Sequence, residues 1–146
     1  GSDQDPMRAV HFQLAFLYTH LRQGKAQPDM TGTLEFFQVL TKADRLVDKA
    51  WDAANKGKYG MGRFADNKIA NEDLLYVLSS KIIGRDLRAQ FAMYGIPLTQ
   101  TALDSVADLG LPAQPLGYYA LPAGKHNQLA TGQWVSLQGQ SPAYPY

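Results

Sequence analysis

Cysteine is missing from all 146 residues, which excludes disulfides, thiolate zinc sites and thiol nucleophiles and leaves the redox compartment open. Glutamate occurs only at Glu35 and Glu72, and histidine only at His11, His20 and His126. Acid–base pairs and metal sites therefore have little to draw on. Neither sign of charge predominates: 14 basic and 13 acidic residues leave a net charge of +1, scattered along the chain. Such a balance makes no long-range field for nucleic acid or an anionic membrane. No apolar run approaches the roughly 20 residues that cross a bilayer, and the N-terminus lacks the basic and apolar regions of a signal peptide.

What the chain does have is a 45% apolar content, enough for the core of one domain of this length. The opening Gly1-Ser2 reads as a cleavage scar from recombinant expression, which implies a region cut from a longer protein. Residues 1–6 are then scar and leader, 7–111 a helical domain, and 112–146 an extended tail packed on the helices.

The expected fold is mainly α, an irregular bundle of about five helices. Asp5-Pro6 suits a helix opening. Met7, Val10, Leu14, Leu17, Tyr18 and Leu21 recur at helical spacing up to about residue 23, where Gly24 can end the helix. Pro28, Asp29 and Gly32 favour turns over 25–32, and Thr33 is positioned to cap a long helix over 34–56. Its core face is Phe36, Phe37, Leu40, Ala43, Val47, Ala50, Trp51 and Ala54. The glycine-rich 57–62 reads as a flexible loop. Further helices are expected over 71–83, ended by Gly84; over 87–94, capped by Asp86 and closed by Gly95; and over 100–109, capped by Thr99 and stopped by Gly110. The link Gly95-Ile96-Pro97-Leu98-Thr99 should fix the angle between the last two helices, so Gly95→Val should be more harmful than Gly60→Val.

After that point six prolines counted from Pro97, several glycines and the aromatics Tyr118, Tyr119, Trp134, Tyr144 and Tyr146 mark an extended tail. One or two short strands are expected in it, at 118–121 and 133–137. Its aromatics are most simply gap-fillers between helices. The alternative is a binding surface built on Tyr118, Tyr119 and Trp134 that stacks on sugars or peptides.

Catalytic signatures are thin. His11 and His20 lie nine residues apart, on opposite sides of the first helix at about 100° per residue, and His126 falls in the tail. Glu35 and Glu72 each sit in a first helical turn, where the helix dipole favours a carboxylate. Ser79-Ser80-Lys81 contains the residue types of a Ser–Lys pair without an oxyanion device. The run GKYGMG at 57–62 lacks the Gly-Lys-Ser/Thr ending of a phosphate loop. No catalytic, cofactor or metal residue is assigned to this chain.

The stretch 71–121 carries a helix ending in Ser80, Gly84, Asp86 and Leu87. A short aromatic helix follows with Phe91 and Tyr94, then a Gly95-Ile96-Pro97 turn, and a last helix reaching Leu109-Gly110-Leu111-Pro112. This pattern resembles one found late in enhancin-like zinc metallopeptidases, which include bacterial immunomodulating and mucin-degrading types. Upstream, HFQLAFLY and FFQVLTKADRLVDKAW are similar, more diffusely, to helices that follow the zinc site in such enzymes. The His-Glu-x-x-His helix that holds the zinc in that family is absent here, and Glu72 is in the wrong context to be its third ligand, so no catalytic residue carries over.

The resemblance implies a noncatalytic C-terminal helical portion of a larger secreted or surface-exposed bacterial zinc metallopeptidase. Zinc would belong to the parent, the catalytic domain would be this region's partner, and a protein or glycoprotein would be the substrate. Gly84, Asp86, Gly95 and Pro97 would then be structural. Two readings from other classes stand beside it: a free-standing helical interaction module, and a small hydrolase with an unrecognised site.

Overall fold

A computed structural model of the chain describes residues 6–24, 30–121 and 132–137. Among the described residues five α-helices follow one another: α1 (Pro6–Gln23), α2 (Met30–Lys49), α3 (Asn71–Ile83), α4 (Arg88–Met93) and α5 (Gln100–Ala107). A 3-10 turn, Lys56–Tyr59, precedes α3, and the strands β1 (Gly117–Ala120) and β2 (Gln133–Ser136) follow α5. The mainly helical class and the number of helices match the sequence expectation. The chain forms two compact units, one from residues up to Phe37 together with those from Pro115 onward, the other from Gln38–Gln114.

In the first unit, α1 buries Val10, Leu14, Ala15, Phe16, Leu17 and Tyr18, the stripe that its three- and four-residue spacing calls for. Gly24, at φ 66°, closes the helix by donating its N–H to the carbonyl of His20 at 2.8 Å. The cap expected at Thr33 does not form, because α2 already begins at Met30. Thr33 is instead buried inside the helix, its hydroxyl 3.5 Å from that of Thr19 on α1. Gly32 is helical too, and its missing side chain permits that approach: a Cβ there would lie 2.6 Å from Thr19 Cγ2. A glycine that reads as a turn signal serves here as a helix contact.

The two strands pair antiparallel, with Tyr119 opposite Trp134 and Tyr118 opposite Val135. The Gln13 side chain on α1 donates to the Tyr119 carbonyl at 2.9 Å and accepts from the Tyr119 N–H at 2.7 Å. One amide thus meets both backbone groups of Tyr119, as a neighbouring strand would.

In the second unit α2 stops at Lys49, short of the expected residue 56. The Asp52 carboxylate accepts from the N–H of Ala54 at 2.9 Å and from the Asn55 side chain, and the Asn55 N–H turns back to the Asp52 carbonyl. This local turn competes with helical pairing and wins. The glycine-rich segment is also more ordered than its composition suggests. Gly60 takes the left-handed conformation at φ 84° against α3, and a Cβ on it would lie 2.9 Å from Val77 Cγ1 and 3.3 Å from Leu109 Cδ1. The loop then delivers Met61, fully buried, and Phe64 into the core. The expected ranking of Gly95→Val above Gly60→Val is therefore overturned, since a Cβ at Gly95 meets nothing within 4 Å.

Helix α3 packs on α5 and buries Leu75, Tyr76, Val77 and Leu78. The ring of Phe91 stands edge-on to Tyr76 at 5.4 Å and to Tyr94 at 6.1 Å. These contacts seat α4, which at six residues is too short to hold itself.

Candidate functional site

The polar groups of the second unit converge on Asp86, in the turn between α3 and α4. Gly84, at φ 79°, ends α3 by donating its N–H to Ser80 O at 2.8 Å, and the chain reverses to present the Asp86 carboxylate to three donors. Tyr76 Oη donates to Asp86 Oδ1 at 2.7 Å, the Arg88 N–H to the same oxygen at 3.0 Å, and Arg88 Nε to Oδ2 at 2.9 Å. The backbone of Asp86 is held as well. Its N–H donates to the Pro112 carbonyl and its carbonyl accepts from the Gln114 N–H, forming a parallel bridge with Ala113. Arg88 extends the network by donating to the Leu103 carbonyl on α5 at 3.0 Å.

Asp86 thus meets the N–H of the first residue of α4, while the residue at the N-cap position itself is Leu87, which makes no side-chain capping bond. The neighbouring Ser80 hydroxyl accepts the Leu87 N–H at 3.3 Å.

A second carboxylate, the buried Asp73, anchors the start of α5. Its oxygens accept the Thr99 N–H at 3.1 Å and the Thr99 hydroxyl at 2.6 Å. Thr99 Oγ1 in turn accepts from the Ala102 N–H at 3.2 Å, the cap that the sequence indicates. Between these two anchors the link after α4 begins with Gly95 at φ 77°, and the Ile96 N–H returns to the Phe91 carbonyl at 2.9 Å. Pro97 follows on the surface. An open, mainly apolar groove here is lined by Arg88, Ala89, Ala92, Ile96, Leu98 and Leu103.

This arrangement is built for holding helices. The carboxylates of Asp73 and Asp86 are taken up by donors from the chain itself. Burial, and then the hydrogen bond to Asp86, push the Tyr76 hydroxyl well above the ordinary tyrosine range; burial pushes Tyr94 up to about 12. Neither phenol is poised to lose a proton near neutrality. Ser79 and Ser80 are fully buried while Lys81 is exposed, so the Ser–Lys pairing has no geometry. Among the described residues no three His, Asp or Glu side chains gather as a metal site. The donor set that a zinc ion needs is not found there.

In the first unit the tail aromatics divide between two environments. Tyr119 is buried, its ring 4.2 Å from Phe16, and Trp134 stacks on His20 at 5.9 Å, so these two lean on α1. Tyr118 alternates to the opposite side and is 38% exposed. Tyr144 and Tyr146 lie outside the described residues. Sequence reading picks out Asp86 but misses Asp73, Tyr76 and Arg88. Asp73 and Thr99 are 26 positions apart, and only the packing of α3 on α5 joins them.

No family model matches the chain. Among curated proteins, the immunomodulating metalloprotease of Pseudomonas aeruginosa is 32% identical over 122 residues, which cover 77% of this chain and 13% of that protein. Among solved structures, the IMPa metallopeptidase in complex with T-antigen matches with a TM-score of 0.76 and 27% identity, over 96% of this chain and 16% of its own. IMPa from Pseudomonas aeruginosa in complex with an O-glycopeptide gives a TM-score of 0.76 and 27% identity, over 94% of this chain and 16% of its own. The chain therefore spans 13% of the length of the curated relative it matches.

Proposed function

The chain is homologous to a segment of the Pseudomonas immunomodulating metalloprotease, an enhancin-like enzyme, and we propose that it serves as a noncatalytic helical domain of a larger bacterial zinc metallopeptidase. In this reading the parent is secreted or displayed at the cell surface and acts on proteins or glycoproteins. The helices pack beside its catalytic part and steady one wall of the substrate cleft. The observation that carries the proposal is the match of nearly the whole chain to a minor portion of a much longer peptidase. The internal use of Asp73, Asp86 and Tyr76 supports the same reading, because it commits the strongest polar groups to joining helices. Two of the matched peptidase structures are complexes, one with T-antigen and one with an O-glycopeptide, which supports glycosylated protein as the parent's substrate class.

Two measurements on the purified 146-residue chain test the noncatalytic role. Elemental analysis is expected to find no stoichiometric zinc, and incubation with peptides and O-glycopeptides is expected to leave them intact. Stoichiometric metal, or cleavage that survives repurification, would overturn the proposal. A parent polypeptide without a His-Glu-x-x-His helix would leave the free-standing interaction module as the better account.

A further inference from the structure

Residues 38–49 of α2 lie on the surface of the second unit along most of their length. Val47 is buried and Leu40 and Ala43 are half-buried, but Val39 is 38% exposed and Leu46 42% exposed. Seven residues separate Val39 from Leu46, so they stand on one edge of the helix about 10 Å apart. Lys42 and Lys49 follow them at the three-residue spacing that makes neighbours on a helix surface. Arg45 lies beyond that margin, whereas Asp44 and Asp48 fall on the far side of the helix. Lys42, Arg45 and Lys49 are exposed, and none of them forms an ion pair with a described residue. The one carboxylate a turn earlier, Glu35, is already engaged by Tyr18 and Arg22.

We propose that this edge docks an acidic amphipathic segment of the same polypeptide lying outside residues 1–146; the proposal rests on the reading of the chain as one part of a larger peptidase. The charge pattern selects the occupant. A second copy of the chain would bring Lys42 and Lys49 against their own counterparts, a like-charge contact that opposes pairing. A lipid surface would suit the cations, but two large apolar side chains offer little to bury in it. A tethered segment is favoured by its high effective concentration, and the matched relatives leave most of their length to supply one. The partner segment carries two apolar side chains about two helical turns apart and carboxylates along one margin.

Site-specific photocross-linking in the full-length parent tests this. A benzophenone amino acid replaces Val39, Leu46 or, as a control on an exposed site of α3, Lys81, and the cross-linked peptides are identified by mass spectrometry. Positions 39 and 46 are expected to capture one Asp- or Glu-rich peptide from outside residues 1–146, at several times the yield of position 81. The Lys42→Glu, Lys49→Glu double variant is expected to lower that yield at least fivefold, while the same variant of the 146-residue chain keeps its melting temperature within a degree or two. Capture of lipid, of a second copy or of an unrelated protein, or a yield no higher than at position 81, would overturn the proposal. A parent that cleaves peptides yet shows no such cross-link would refute the docking edge alone. Cross-links in a parent without peptidase activity would refute only the enzymatic reading.

Discussion

The hydroxyl of Tyr76 on α3 donates to Asp86 Oδ1 at 2.7 Å, and the same oxygen receives the N–H of Arg88 at the start of α4. One carboxylate oxygen therefore ties two helices together across the turn that Gly84 creates. Removing the acceptor strands a buried phenol and leaves the exposed Arg88 guanidinium only the Leu103 carbonyl, whereas removing the phenol leaves the carboxylate its other donors. Asp86→Ala should cost about 2–3 kcal/mol and Tyr76→Phe about 1 kcal/mol. In a thermal double-mutant cycle the two changes should be non-additive by at least about 0.5 kcal/mol. Simple additivity would show that the contact does not couple α3 to α4.

Asp73 and Thr99 offer a similar comparison with a different expected order. Asp73→Ala removes the acceptor for two donors and leaves them in a partly buried site, so it should destabilise by about 2–3 kcal/mol. Thr99→Ala removes one capping bond and one hydroxyl and should cost about 1–2 kcal/mol. Thr99→Ser keeps both bonds and should stay close to the parent chain. Denaturant midpoints for the three variants give the order directly, and equal losses for Thr99→Ala and Thr99→Ser would discount the hydroxyl.

Among the glycines, Gly60→Val should be the most harmful of three replacements, because positive φ and the close approach of Val77 and Leu109 act together. Gly95→Val meets only the positive φ, and Gly57→Val meets neither, having open space and no left-handed conformation. Melting temperatures should fall in that order. A Gly60→Val variant as stable as Gly57→Val would mean the loop does not pack on α3.

Stability should decline on the alkaline side for a reason located in the core. Burial, and at Tyr76 also the bond to Asp86, raise the folded-state pKa of Tyr76 and Tyr94 above the ordinary value near 10. Above about pH 10 the unfolded phenols lose protons that the folded ones keep, so the stabilisation present below that pH is lost as pH rises. Tyr76→Phe should flatten the fall in denaturant midpoint between about pH 10 and pH 12. On the acid side, the Arg63 guanidinium holds the exposed Asp108 carboxyl below the usual range through a hydrogen bond at 2.7 Å. Its contribution is present above about pH 4 and lost on further acidification, so Asp108→Asn should weaken the acid limb without altering the alkaline one.

If the chain walls a cleft in a larger peptidase, removing residues 7–146 from the parent should abolish peptide cleavage even with every zinc ligand in place. Metal content and circular dichroism of the truncated parent would separate lost scaffolding from lost substrate grip. Undiminished activity would make the domain dispensable for catalysis.

The helices were legible in the sequence wherever apolar spacing and a chain-breaking residue agreed. Helices α3, α4 and α5 fall within two residues of their expected limits, and the strands within one, because Gly84, Gly95, Thr99 and the tail prolines act locally. Errors arose where a local signal was outweighed. Thr33 and Gly32 carry the marks of a cap and a turn, yet the approach of α1 draws both into α2. The apolar face that runs on to Trp51 and Ala54 suggests more helix, yet the Asp52 turn ends it.

By itself the sequence determined the helical class, the helix-ending glycines and the absence of thiol chemistry, since each depends on a residue and its near neighbours. Tertiary structure decided which polar groups meet. Asp73 with Thr99, Tyr76 with Asp86 and Arg63 with Asp108 lie 26, 10 and 45 positions apart. No local preference encodes such pairs; they exist because helices and turns, once packed, bring their donors and acceptors within hydrogen-bonding distance.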